Sequence, residues 1–223
     1  MPTALVIQHA AVEGVGRFAD WLPAAGVDLR ILRPYDGEPL PSTIDADALI
    51  VMGGPMGAND DADVPWLAAT KHLLAESVRR RVPALGVCLG AQLLAVATGG
   101  AVERGEAGPE LGLDAVEIAV ADALLDAGSM AVVQWHYDTV TRLPPEATLL
   151  GSSRRYATQA FRVGDLAWGV QFHVEATPGM VADWARAERI DEAAVVDPVV
   201  DAQDRLTAVG ERVARRFAAV VAA

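Results

Sequence analysis

"PALGVCLGAQLLAVAT", residues 83–98, holds the only cysteine of a 223-residue chain. Glycines stand two positions before it and two positions after it. The apolar run "PALGVC" reads as a short strand, and "LGAQLLAVAT" reads as a helix. Gly86-Val87-Cys88-Leu89-Gly90 therefore has the spacing G-x-nucleophile-x-G on a strand-to-helix turn. Such a turn strains its central residue and brings neighbouring backbone close, so it needs small residues on both sides. The thiol would sit at a helix N-terminus, where free N–H groups and the helix dipole favour a thiolate. A lone cysteine is more often an inert buried thiol. Here the elbow and its strand–helix context point to a nucleophile.

The first half of the chain alternates apolar β-rich runs with helical patterns. Strands are expected at "TALVIQH" (3–9), "VDLRILR" (27–33) and "DALIVMG" (47–53). Helices are expected at "RFADWLPAAG" (17–26) and "VPWLAATKHLLAESVRRR" (64–81), the latter with Asp63 as its cap and Pro65 in its first turn. Strand–helix alternation implies right-handed βαβ crossovers. The fold class is α/β: an open, mostly parallel twisted sheet with helices on both faces, a flavodoxin- or Rossmann-like three-layer sandwich. After Gly100, "LDAVEIAVA" (113–121), "ATLLGSS" (147–153) and "YATQAFRVGDLAWGVQF" (156–172) suggest an antiparallel extension. Thr177-Pro178 opens a further helix, and Leu206, Val209, Val213, Phe217 and Val220 form one stripe of a last one. No repeat or long linker divides the chain, so residues 1–223 read as a single domain.

Composition narrows the function. The net charge of −12 argues against a nucleic-acid or anionic-membrane partner, which would need a basic face. One cysteine cannot form an internal disulfide, and "MPTALVIQHA" has no basic n-region or cleavage site, so a cytoplasmic protein is expected. The uncharged run Val82–Val102 is long enough to span a membrane, but Pro83, Gln92, four glycines and the Gly99-Gly100 stop oppose that reading.

A thiolate nucleophile usually has a basic partner. Of His9, His72, His136 and His173, His72 belongs to the polar face of a helix, and nothing near His9 completes a constellation. His173 lies in "GVQFHVEAT" (169–177), with Glu175 two residues on. In an extended segment both side chains face the same way, and a carboxylate can then fix the imidazole's tautomer.

"GVCLGAQLLA" followed by "GVQFHVEAT" resembles the class I glutamine amidotransferase family, and "VMGGPMG" (51–57) is similar to that family's oxyanion loop. The resemblance runs from the first strand to about residue 185. It implies a Cys88–His173–Glu175 triad. Cys88 would attack the side-chain amide of glutamine, or of a related γ-glutamyl compound, to form a thioester. His173 would relay protons and Glu175 would hold it. The backbone N–H groups of Leu89 and Gly54 would bind the oxyanion. Gln92 would contact the amino-acid end of the substrate, and Gly53 of the oxyanion loop would also be a substrate-binding residue. "QWHYDTV" (134–140) resembles a substrate-framing segment, which adds Trp135 and His136; Tyr137 stands where many members have glycine. The family implies a protein that needs no cofactor or metal and that either feeds ammonia to a separate synthase subunit or acts alone as a γ-glutamyl hydrolase or transferase.

Rival readings are weaker. "GVGRFA" (14–19) fits a dinucleotide loop with Asp36 as ribose ligand, but four residues part it from the first strand, too many for the tight turn. "NDDAD" (59–63) could suggest a metal, yet acids ahead of a helix are better read as capping. A non-catalytic regulator that binds a metabolite would have no use for an intact Cys88, His173 and Glu175.

Overall fold

A computed structural model describes residues 1–223. Five strands run parallel: β1 (Thr3–Ile7), β2 (Asp28–Leu32), β3 (Ala48–Val51), β4 (Ala84–Val87) and β11 (Ala167–Val170), side by side in the order β2-β1-β3-β4-β11. The sheet continues antiparallel through β10 (Ala160–Val163), β9 (Ala147–Ser152), β6 (Glu110–Ile118) and β7 (Gly128–His136). Separately, β5 (Ala101–Arg104) pairs with β8 (Asp138–Arg142). The expected α/β sheet with an antiparallel extension is the observed one.

Strand alternation divides the core in two. Ala4, Val6, Ala48, Ile50, Leu85 and Val87 face α1 (Phe18–Ala24) and α6 (Gln203–Val221), through Phe18, Leu22, Val213 and Phe217. Leu5, Ile7, Leu49, Val51 and Ala84 face α2 (Trp66–Arg80) and α3 (Leu89–Ala97), through Leu67, Leu73, Leu74, Leu93 and Leu94. Strands buried on both faces read as continuous apolar runs, as these do. Val213 and Phe217 of the expected stripe are buried, and Leu206, Val209 and Val220 pack partly buried beside them and against the third cluster. That third cluster joins β7 to α4 (Pro178–Glu188) and α5 (Glu192–Asp201) through Val133, Trp135, Val181, Trp184, Val195 and Val199.

Some local expectations need correction. Asp63 does not cap α2: the helix begins at Trp66 after Pro65, with no side-chain cap. Asp60 instead accepts the Gly57 N–H (2.7 Å), and Asp61 pairs with Lys71 (2.6 Å). The acids of "NDDAD" thus tie a turn together. Thr177 does cap α4, accepting from the Met180 N–H at 3.2 Å. Helix α5 had no sequence reading, since Pro198 stands inside it; Asp191 at its N-cap was the available signal. The uncharged run Val82–Val102 becomes β4, the nine-residue α3 and the start of β5, and no helix is long and apolar enough to cross a membrane.

Candidate active site

Four adjacent parallel strands, β1, β3, β4 and β11, deliver the site residues from their C-terminal ends, where ligands gather in open α/β sheets. Beyond β1 come His9 and Glu13, beyond β3 Gly53 and Gly54, beyond β4 Cys88, and beyond β11 Gln171, His173 and Glu175.

Cys88 has φ 52° and ψ −106°, a positive-φ backbone that a residue with a side chain rarely adopts. The flanking glycines explain how the turn closes. A Cβ on Gly86 would stand 2.4 Å from the Gly90 carbonyl, and one on Gly90 would stand 2.0 Å from the Val51 oxygen. The thiol is 7% exposed at the floor of a cavity of about 520 Å³. Its Sγ is 3.6 Å from the Trp135 carbonyl, to which it donates, and 3.6 Å from the Gln171 side-chain amide, which donates to it.

His173 is buried, and its Nδ1 faces Glu175 Oε1 at 2.8 Å. The His173 N–H donates to the Val133 carbonyl at 2.8 Å, pinning the segment to β7. Trp184 packs on the ring with centroids 4.7 Å apart. Burial opposes a charge on His173, but the Glu175 carboxylate and the neighbouring Cys88 outweigh it and push its pKa well above the ordinary value. Nε2 of His173 makes no hydrogen bond within the chain. Thiol, imidazole and carboxylate are thus brought together.

The Gly54 N–H makes no hydrogen bond, and Leu89 is the first residue of α3, where an N–H has no partner within its own helix. Gly54 lines the cavity and touches Leu89: a Cβ there would meet Leu89 Cδ2 at 2.7 Å and Met56 Sδ at 2.6 Å. Gly53 does not line the cavity. It is buried beneath Glu13 and His173, where a Cβ would stand 2.6 Å from Glu13 Oε2 and 3.2 Å from His173 Cε1.

Gln92, Trp135 and His136 all line the cavity. Both N–H bonds of the Gln92 side-chain amide are spent, on the Asp138 carbonyl (3.1 Å) and Gln171 Oε1 (3.2 Å). The Trp135 indole donates to Glu188 at 2.9 Å, and Tyr137 also donates to Glu188. His136 is held at both nitrogens, 3.0 Å from the Asp138 carbonyl and 3.0 Å from Glu110. Burial raises the pKa of Glu110, but donors His136, Ser153 and Gln159 prevail and hold it below the usual carboxylate range.

Sequence reasoning missed Gln171, Glu13, Glu110 and Glu188. Gln171 had a signal: with His173 and Glu175 it continues the same i, i+2 alternation. "GVGRFA" has another use than a dinucleotide loop. Residues 8–17 separate β1 from α1, so no tight strand-to-helix turn exists. Gly16 instead lets the backbone pass the Glu175 carbonyl, which accepts the Arg17 N–H at 2.9 Å.

The sequence profile of "Glutamine amidotransferase class-I" matches residues 20–183, which include Cys88, His173 and Glu175. The chain belongs to the class I glutamine amidotransferase family. Gamma-glutamyl peptidase 3 of Arabidopsis thaliana is 30% identical over 155 residues, covering 65% of this chain and 61% of that protein. The glutamine-hydrolyzing GMP synthase subunit of Saccharolobus solfataricus is 31% identical over 153 residues, covering 67% of this chain and 77% of that protein. A crystal structure of a glutamine amidotransferase from Methylobacillus flagellatus superposes with a TM-score of 0.89 at 30% identity, over 99% of this chain and 95% of that one. Members of this family are enzymes, and this amidotransferase belongs among the hydrolases and transferases of glutamine and γ-glutamyl compounds.

Proposed function

We propose that this amidotransferase hydrolyses a γ-glutamyl amide through a thioester on Cys88. The observation that carries the reading is Cys88 at positive φ, with the N–H groups of Gly54 and of Leu89 at the start of α3 beside it and with His173 held by Glu175. Cys88 loses its proton to His173 Nε2 and its sulfur bonds to the amide carbon. The oxyanion that forms is held by Leu89 and Gly54. The C–N bond breaks as His173 gives its proton to the leaving nitrogen. Water then attacks the thioester, His173 takes its proton, and the C–S bond breaks to release glutamate and restore the thiol. Glu175 stabilises the imidazolium throughout.

Gln92 retains only its Oε1 for substrate, an acceptor suited to the α-ammonium of the glutamyl group. Trp135 and His136, both clamped by carboxylates, shape the same pocket. The lone thiol suits a reducing, cytoplasmic setting.

Ammonia delivery to a separate synthase is the second reading, favoured by the similarity to a glutamine-hydrolyzing GMP synthase subunit. The packing of Gly54 against Met56, Leu89 and His9 favours the first, because a loop so held presents its oxyanion donor without a partner. Labelling with a glutamine-analogue diazoketone tests the reaction. It should modify Cys88 and spare Cys88→Ala; labelling elsewhere overturns the reading.

A further inference from the structure

Glu13 lies in the loop after β1, ahead of the segment that the family profile matches. It is 8% exposed, lines the cavity and makes no hydrogen bond within the chain through its carboxyl group. Every other acidic group close to the triad is engaged: Glu175 by His173, Glu110 by His136, Ser153 and Gln159, and Glu188 by Trp135 and Tyr137. A buried carboxyl without a partner is expensive in its charged form. Burial accordingly raises the pKa of Glu13 to about 7; His173 opposes the rise, and Glu175 and Glu188 add to it.

The rest of the cavity wall has the same sign. Asp60, Asp138 and Glu188 border it, against the single guanidinium of Arg104. That guanidinium lies 3.7 Å from Asp138 and stacks over Tyr137 at 4.4 Å. A net charge of −12 favours the approach of cations over anions.

Position says which part of a substrate meets Glu13. Resting on the reaction proposed above, the leaving nitrogen must face His173 to receive its proton. Glu13 borders His173 across Gly53, with Oε2 and Cε1 against the same face of that glycine. A substituent on the leaving nitrogen is therefore directed toward Glu13. We infer that Glu13 binds an ammonium group on the leaving side, and that the preferred substrates are γ-glutamyl amides of diamines.

The bonds made and broken are those of the thioester route. The amide and water yield glutamate and the diamine, and Glu13 exchanges no proton with the reacting atoms. Its partner is the second, distant nitrogen, an ammonium that supplies the hydrogen bonds the carboxylate lacks.

The test compares the γ-glutamyl amide of 1,4-diaminobutane with that of butylamine, which has the same carbon chain and no charge. Wild type should favour the diamine amide in kcat/KM by about 10–100-fold, the range expected for one charge-assisted contact. In Glu13→Gln the ratio should fall to near one. Equal turnover of both amides by wild type overturns the proposal. So does a Glu13→Gln variant that loses kcat on both amides alike, which would place Glu13 in proton transfer. Binding of the two amides to Cys88→Ala by calorimetry separates this idea from the reaction itself. Tighter binding of the diamine amide, lost in Cys88→Ala with Glu13→Gln, supports the site even if neither amide is hydrolysed. Equal binding of both amides overturns it whether or not Cys88 reacts with the diazoketone.

Discussion

The α-carbon of Gly16 lies against the main-chain carbonyl of Glu175, so that a Cβ at residue 16 would stand 2.3 Å from that oxygen. Gly16 also has φ +49°, which an L side chain tolerates poorly. Gly16→Ala must push the Glu175 segment away or distort its own loop. Thermal unfolding should reveal a loss of ~2–4 kcal/mol. Turnover of the folded fraction should fall through kcat more than KM, because His173 would lose its registration.

His173 and His136 differ in what they have free. His136 has both ring nitrogens occupied, whereas His173 keeps Nε2 open. His173→Ala should lower kcat by about 10³–10⁴-fold, as loss of a triad base does. Glu175→Ala should cost less, since Glu175 orients and stabilises but exchanges no proton with substrate. Steady-state kinetics on one γ-glutamyl amide decide the matter. If His136→Ala proved the more damaging, Cys88 would have been paired with the wrong histidine.

Two buried groups give stability opposite pH dependences. Glu13 titrates near 7 in the fold against 4.5 when free, so the fold favours its neutral form. That preference costs nothing below pH 4.5 and grows until the pH passes 7. Glu13→Gln should therefore raise stability at pH 8 by ~2–3 kcal/mol and leave it unchanged at pH 4.5. His9 is pushed by burial from 6.5 down to about 4, and its Nδ1 accepts from the Trp66 indole at 3.1 Å. Its neutral form is the folded one. Its contribution is complete above pH 6.5, is lost as pH falls toward 4, and levels off below. Denaturant unfolding of wild type and His9→Gln across pH 4–8 should show the variant with the flatter acid limb.

The legible parts of this molecule were those with a local signature. The elbow could be read because Gly86 and Gly90 must lack a Cβ to pass neighbouring backbone. His173 and Glu175 could be read because strand alternation puts them on one side. The parallel strands announced themselves as apolar runs because both their faces are buried. Other features depend on partners far away in the chain. Glu110 acts on His136 from 26 residues away, and Glu188 reaches Trp135 from 53 away. Glu13 gave no sign, since its environment is made by Gly53 and His173, which the fold alone brings to it. The same holds for Gly16, whose pairing with Glu175 made "GVG" resemble a nucleotide loop. Asp63 shows the converse error, a good capping residue two places ahead of the N-cap, which is Pro65.

An amidotransferase that serves a synthase must not release ammonia unprompted, so its oxyanion hole should be incomplete when it is alone. Each missing donor is worth roughly 10²–10³ in rate, enough to silence the enzyme. Here Gly54 is wedged among Met56, Leu89 and His9, and neither Gly53 nor Gly54 has a positive φ. A peptide flip that withdrew the Gly54 N–H would have to displace those neighbours. The purified chain should therefore acylate Cys88 rapidly with a suitable γ-glutamyl amide and no other protein present. Rapid-quench single-turnover experiments measure that step directly, across a panel running from glutamine to larger γ-glutamyl amides. Acylation should be slow with glutamine, whose leaving group is bare ammonia and cannot reach Glu13, and faster with amides that fill the cavity. If acylation is uniformly slow and rises by about 10²–10³-fold only when a synthase is added, the enzyme is a silent subunit and the free-standing reading fails.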